Sequence, residues 1–115
     1  MNEKKIGNTQ KGVSRSVVET LKRRVDNHSG IKLVDVPCGS GEFALYLAKK
    51  LTDINITGVD CFADASGKVA IFHKMDVHEF FRTKKPKNVD VITCISGVMC
   101  FDGIEELFSN FCKSL

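Results

Sequence analysis

The stretch Val34-Asp35-Val36-Pro37-Cys38-Gly39-Ser40-Gly41-Glu42 restricts the fold of this chain more than any other. An apolar run, Ile31 to Val36, leads into it, and a helical pattern leaves from Glu42. Glycine lacks a Cβ, so a Gly-x-Gly turn takes dihedrals closed to other residues. It also lets a ligand approach the bare backbone. A second apolar run, Ile54 to Val59, ends at Asp60. A carboxylate at that place can accept from both hydroxyls of a ribose. Turn and acid together predict a site for an adenosine-containing cofactor.

The rest of the chain alternates in the same way. Residues 1–12 are polar and read as a flexible N-terminus, leaving residues 13–115 as the domain. Ser14 or Ser16 is placed to cap a helix running to about Asn27, with Val17, Val18, Leu21 and Val25 on one face. Gly30 ends that segment, and Ile31 to Val36 follows as a buried strand. A second helix is predicted over Glu42 to Leu51, with Phe43, Leu45, Leu47, Ala48 and Leu51 inward. Ile54 to Val59 is the second strand, Cys61 to Ser66 a short helical turn, and Lys68 to Phe72 the third strand. A third helix starts at Val77, and Pro86 breaks the chain after it. Val89 to Ile95 is the β-branched fourth strand. Asp102 and Glu105 have the spacing of a capping box for a last helix, whose apolar stripe is Ile104, Leu107, Phe108, Phe111 and Leu115. Strands alternating with helices imply a parallel sheet of right-handed βαβ units.

Composition narrows the classes. At 115 residues the chain holds one domain, and no apolar run reaches the length that spans a bilayer. The five cysteines, Cys38, Cys61, Cys94, Cys100 and Cys112, are odd in number and form no C-x-x-C. That argues against a disulfide framework and a zinc ribbon, and predicts a reducing, cytoplasmic setting with no metal. Basic residues cluster before residue 25 and again at Arg82, Lys84, Lys85 and Lys87. No aromatic residues interleave with them, so nucleic acid is a weakly supported partner. His73 and His78 read as surface or cap residues. Cys94 has no evident basic partner to make it a nucleophile.

Gly39-Ser40-Gly41-Glu42-Phe43-Ala44 also fits the G-x-G-x-x-A form of the dinucleotide fingerprint. Asp35, a charge inside the first strand, favours another family. The stretch Leu33 to Leu45 resembles the first motif of class I S-adenosylmethionine-dependent methyltransferases, with Pro37 where a glycine is frequent. Thr57-Gly58-Val59-Asp60 resembles that family's second strand with its ribose-binding acid. Lys74-Met75-Asp76-Val77 resembles its acidic turn beside the adenine. Val89 through Gly97 resembles its fourth-strand motif, which ends beside the reactive methyl. The resemblance is closest to small-molecule enzymes of the ubiquinone and menaquinone type.

That resemblance implies an α/β, Rossmann-like, doubly wound sheet of four parallel strands in the order 3-2-1-4, with helices on both faces. It implies S-adenosylmethionine as cofactor and a small-molecule methyl acceptor. Gly39 and Gly41 would let the amino-acid end of the cofactor pass the backbone, and Asp35 would help to hold its amino group. Pro37, Cys38 and Cys61 would also be among the cofactor-binding residues. Asp60 would take the ribose hydroxyls. Asp76 and the Val77 N–H would read the adenine, while Cys94 and Ile95 would line the methyl end. No catalytic base is identified. Two rivals stand: a nicotinamide-binding Rossmann domain, against which Asp35 argues, and a non-catalytic methyltransferase-like subunit. The family's sheet normally has seven strands, so the chain is expected to be the N-terminal, cofactor-binding part of a larger enzyme. Its fourth strand is then expected to present an open edge for self-association.

Overall fold

The structure is a computed structural model that describes residues 5–6, 9–24, 30–51, 53–95 and 102–115. The chain opens with two short strands, β1 (Lys5–Ile6) and β2 (Thr9–Gln10), paired antiparallel, and runs directly into α1 (Lys11–Arg24). Then follow β3 (Ile31–Asp35), α2 (Glu42–Lys50), β4 (Ile54–Asp60), β5 (Ile71–Lys74), α3 (Val77–Lys84), β6 (Val91–Thr93) and α4 (Ile104–Ser114).

Four of these strands form one sheet in the order β5-β4-β3-β6, every pair parallel. In terms of the four expected strands this is the order 3-2-1-4. Side chains alternate across a strand, so neighbours serve opposite faces. Leu33 joins Val18, Leu21, Phe43, Leu47 and Ile56 in a core under α1 and α2. Val34 and Val36 join Val59, Phe80, Phe81 and Leu107 in a second core under α3 and α4. Helices therefore cover both faces, as a parallel sheet requires.

Several boundaries differ from the expected ones. Helix α1 begins at Lys11, ahead of the serines; Ser14 is buried within it. The predicted extension of that helix past Arg24 lies outside the described residues, as do Ser96, Gly97 and Cys100. In α2, Ala44 is buried where Ala48 is exposed. Strand β5 starts at Ile71, not Lys68. Lys68 N and Val69 N both donate to Ala65 O, which closes a turn and drops Val69 into the core before the strand begins. No helix forms over 61–66. The fourth strand shortens to its three ladder residues.

Helix α4 is capped by Gly103 in the left-handed region, with no side-chain cap, so the Asp102–Glu105 capping box does not form. Of its expected stripe, Leu107 is wholly buried and Phe111 partly so. Phe108 is 48% exposed and Leu115 61%, and Ile104 also faces outward. Polar bonds add to the packing of this helix on α3, where Phe81 also meets Phe111. Arg82 donates to Glu106 through Nε (2.9 Å) and Nη2 (3.1 Å). His78 donates from Nε2 to Asp102 O at 2.6 Å. No described helix is long and apolar enough to cross a membrane.

Candidate cofactor site

The crossovers place helices on opposite faces either side of the β3–β6 junction, which makes the carboxyl ends of those two strands the switch point where folds of this kind bind ligands in a crevice. The Gly-x-Gly turn lies there, and main-chain bonds to both neighbours of β3 hold it. Val36 N donates to Thr93 O of β6 (2.9 Å), and Cys38 N donates to Val59 O of β4 (2.9 Å). The Val36–Pro37 peptide is cis, and Gly41 N closes the turn on Cys38 O.

The two glycines serve different ends. Gly39, half-buried, has φ +59° and open space where a Cβ would stand. Gly41, φ +96°, lies against the chain entering β5. A Cβ there would stand 3.0 Å from Lys68 Cβ and 3.1 Å from Ala65 Cβ. Gly39 thus suits a ligand's approach, while Gly41 lets α2 start close to its neighbour. Glu42, at that start, is held near pH 2 by Lys68, which donates at 2.8 Å, and by the Ser40 hydroxyl.

Asp60 ends β4 and is buried. Its Oδ2 accepts from Gly39 N (3.0 Å), and its Oδ1 accepts from Phe62 N (2.8 Å) and Ala63 N (2.9 Å). One carboxylate therefore ties the glycine turn to the turn after β4. These bonds take three of its roughly four acceptor positions. Beyond β5, Asp76 caps α3 by accepting from Glu79 N (3.1 Å), with its side chain exposed at the same end of the sheet. Val77 follows with its side chain buried, and its N–H belongs to a helical first turn, where no intrahelical acceptor is available.

Asp35, the last residue of β3, is only 2% exposed. Its Oδ1 accepts from the Thr93 hydroxyl at 2.8 Å. Burial pushes its carboxyl up to about 7; the Thr93 bond works against that rise, and the charge of Asp60 adds to it. The Cys38 thiol is buried against Gly58 and pushed up to about 12, by burial first and by Asp35 and Asp60 next. It is therefore inert and packs the turn onto β4. Cys61 is exposed next to Asp60, Pro37 is half-buried, and Cys94 and Ile95 follow β6, also half-buried. The structure thus gathers Asp35, Pro37, Cys38, Gly39, Gly41 and Asp60 about one turn and sets Asp76 and Val77 at the next strand end.

Two features escaped the sequence. Thr93 looked like one β-branched residue among several. Phe62 is 91% exposed at the rim, held there through its amide by Asp60; the only sign of it was a large apolar residue two places beyond a strand-end acid.

The sequence profile of a family described as a methyltransferase domain matches residues 9–115. The chain belongs to that family. Among solved structures, magnesium protoporphyrin IX methyltransferase from Synechocystis PCC 6803, crystallised with S-adenosylmethionine, superposes with a TM-score of 0.70 at 17% identity. The match covers 90% of this chain and 53% of the other, so this methyltransferase domain spans about half the length of its solved neighbour. Among curated proteins, none matches the sequence closely. The sheet order and the two-faced helix layers of the domain are those expected of the class I fold.

The residues present fit an adenosyl cofactor. The methyltransferase domain leaves open space at the Cβ position of Gly39 beside a buried acid, at the carboxyl ends of parallel strands where such folds bind ligands.

Proposed function

We propose that this domain binds S-adenosylmethionine and serves methyl transfer to a small-molecule acceptor. The observation that carries the reading is the Gly39–Asp60 contact, which joins the glycine turn to a strand-end carboxylate beside the β3–β6 junction. Asp35 receives the amino group of the cofactor, whose amino-acid end passes over Gly39. Asp60 offers its one remaining acceptor position to a ribose hydroxyl. Asp76 accepts from the adenine amine, Val77 N–H donates to a ring nitrogen, and the exposed ring of Phe62 gives the base an apolar wall. Cys94 and Ile95 lie toward the methyl end.

When bound, the sulfonium supplies an already activated methyl group. What remains for the protein is alignment and exclusion of water, which a rigid turn on a packed sheet can provide. The solved neighbour is named for a small-molecule acceptor, which supports the same class here. The cysteine usage supports a reducing, cytoplasmic setting. Strand β6 is an edge among the described residues, and we infer that the chain self-associates through it.

Calorimetric titration with S-adenosylmethionine, S-adenosylhomocysteine and NAD tests the cofactor. Binding of the first two and not the third is expected. A folded chain that gives no heat with either, or that prefers NAD, overturns the reading.

A further inference from the structure

Two polar side chains meet at the β3–β6 junction, where hydrophobic ones would pack more simply. Asp35 and Thr93 are the last residues of their strands and are partners in the ladder. Both are buried, at 2% and 7% exposure. The Thr93 hydroxyl donates to Asp35 Oδ1 at 2.8 Å, and the Thr93 carbonyl accepts from Val36 N at 2.9 Å. Thr93 is therefore fixed to β3 by main chain and side chain together. Burying a carboxyl and a hydroxyl costs desolvation that an apolar pair would avoid, so the pair calls for a reason beyond packing.

We propose that Thr93 is a positioning residue for the cofactor: its hydroxyl turns the Asp35 carboxyl toward the crevice and favours the charged form that receives the cofactor's ammonium group. The proposal rests on the reading of Asp35 given above. A hydroxyl has one hydrogen to donate, and here Asp35 takes it. Donation to a carboxylate stabilises the charged form over the neutral one. The other groups acting on Asp35 push the opposite way or stay neutral. Asp60, from β4, opposes its ionisation, and the Cys38 thiol, from the turn, remains protonated.

With its carboxyl near half-ionised at neutral pH, Asp35 must give up its proton to meet the incoming cation. Cofactor affinity then rises with pH as Asp35 ionises, up to the pH at which the cofactor's own ammonium group loses its proton, a limit that wild type and variants share. Removing the hydroxyl shifts that rise to higher pH.

The test compares wild type with Thr93→Val, Thr93→Ala and Thr93→Ser. Affinity for S-adenosylhomocysteine is measured by calorimetry from about pH 6 to about 8.5. The Asp35 carboxyl carbon is followed by NMR in the free protein. One pKa unit corresponds to a tenfold change in equilibrium, so a midpoint raised by about one unit predicts affinity about tenfold weaker at pH 6. The gap should close toward pH 8.5. Thr93→Ser should keep the wild-type midpoint and profile. Thr93→Ala removes the hydroxyl in a second way should the valine variant fold poorly. An unmoved Asp35 midpoint, with affinity lost equally at every pH, makes Thr93 a packing residue and overturns the proposal. If folded wild type binds no S-adenosylhomocysteine at any pH, the cofactor reading itself fails, and the proposal with it.

Discussion

Gly58 is the tightest point between the glycine turn and the sheet. A Cβ there would stand 2.8 Å from Cys38 Sγ and 3.1 Å from Cys38 Cβ. Gly58→Ala should cost about 1–3 kcal/mol by overpacking. In a Cys38→Ala background the same change should cost less, because the sulfur is gone. Urea unfolding of the four proteins in that cycle measures the coupling, and additive costs would contradict the contact. Asp35 makes a second prediction. Its folded pKa is raised above its unfolded value, so the folded chain holds a proton that the unfolded chain releases. The stability this gives is present below about pH 4 and lost as pH rises through about 7. Across that range wild type should lose on the order of a few kcal/mol, while Asp35→Asn should not show the loss from this site. At pH 8 the asparagine variant should be the more stable of the two and the weaker binder of cofactor. Denaturation midpoints against pH measure the first effect and calorimetry the second.

At the scale of elements, α4 shows which forces hold a helix in place. Leu107 is fully buried among Val36, Phe81 and Val89, whereas the Arg82–Glu106 pair is half exposed. Leu107→Ala should cost about 2–5 kcal/mol, and Glu106→Ala less than about 1 kcal/mol. Thermal unfolding of both variants would reverse the argument if the order were inverted. The same helix shows how far the sequence could be read. Its period placed five apolar residues on one stripe, but periodicity carries no information about how wide the partner surface is. Helix α3 and the sheet cover Leu107 and part of Phe111, and leave Phe108 and Leu115 outside. Its cap went to Gly103 because a glycine with φ +69° could start the helix without a side-chain cap. The β3–turn–α2 unit was legible because Gly39 and Gly41 allow few alternatives. Strand β5 was misread because Val69, apolar and β-branched, is buried from a turn. The hydrogen-bond partners of Asp60 and Asp35 were illegible, since bonds spanning 21 and 58 residues of sequence depend on the finished sheet.

For the whole molecule, the parallel order separates two ends. The glycine turn, Asp60 and Asp76 lie where strands finish. Lys85 and Lys87 lie where the chain returns toward the start of β6, with Arg82 and Lys84 in the last turn of α3 and Lys113 in that of α4. Cations there answer the negative ends of two helix dipoles. Self-association belongs to this scale too. Light scattering after size exclusion should show a mass above that of one chain, increasing with concentration. A single monomer peak at high concentration would rule out pairing through β6. The grip of Asp60 on Gly39, Phe62 and Ala63 has a consequence in time. Those three amides should exchange with deuterium slowly even before any ligand arrives, and Asp60→Ala should release all of them together. On the proposed reading, the receptor for the nucleoside is then shaped in advance, and little ordering entropy is left for binding to overcome.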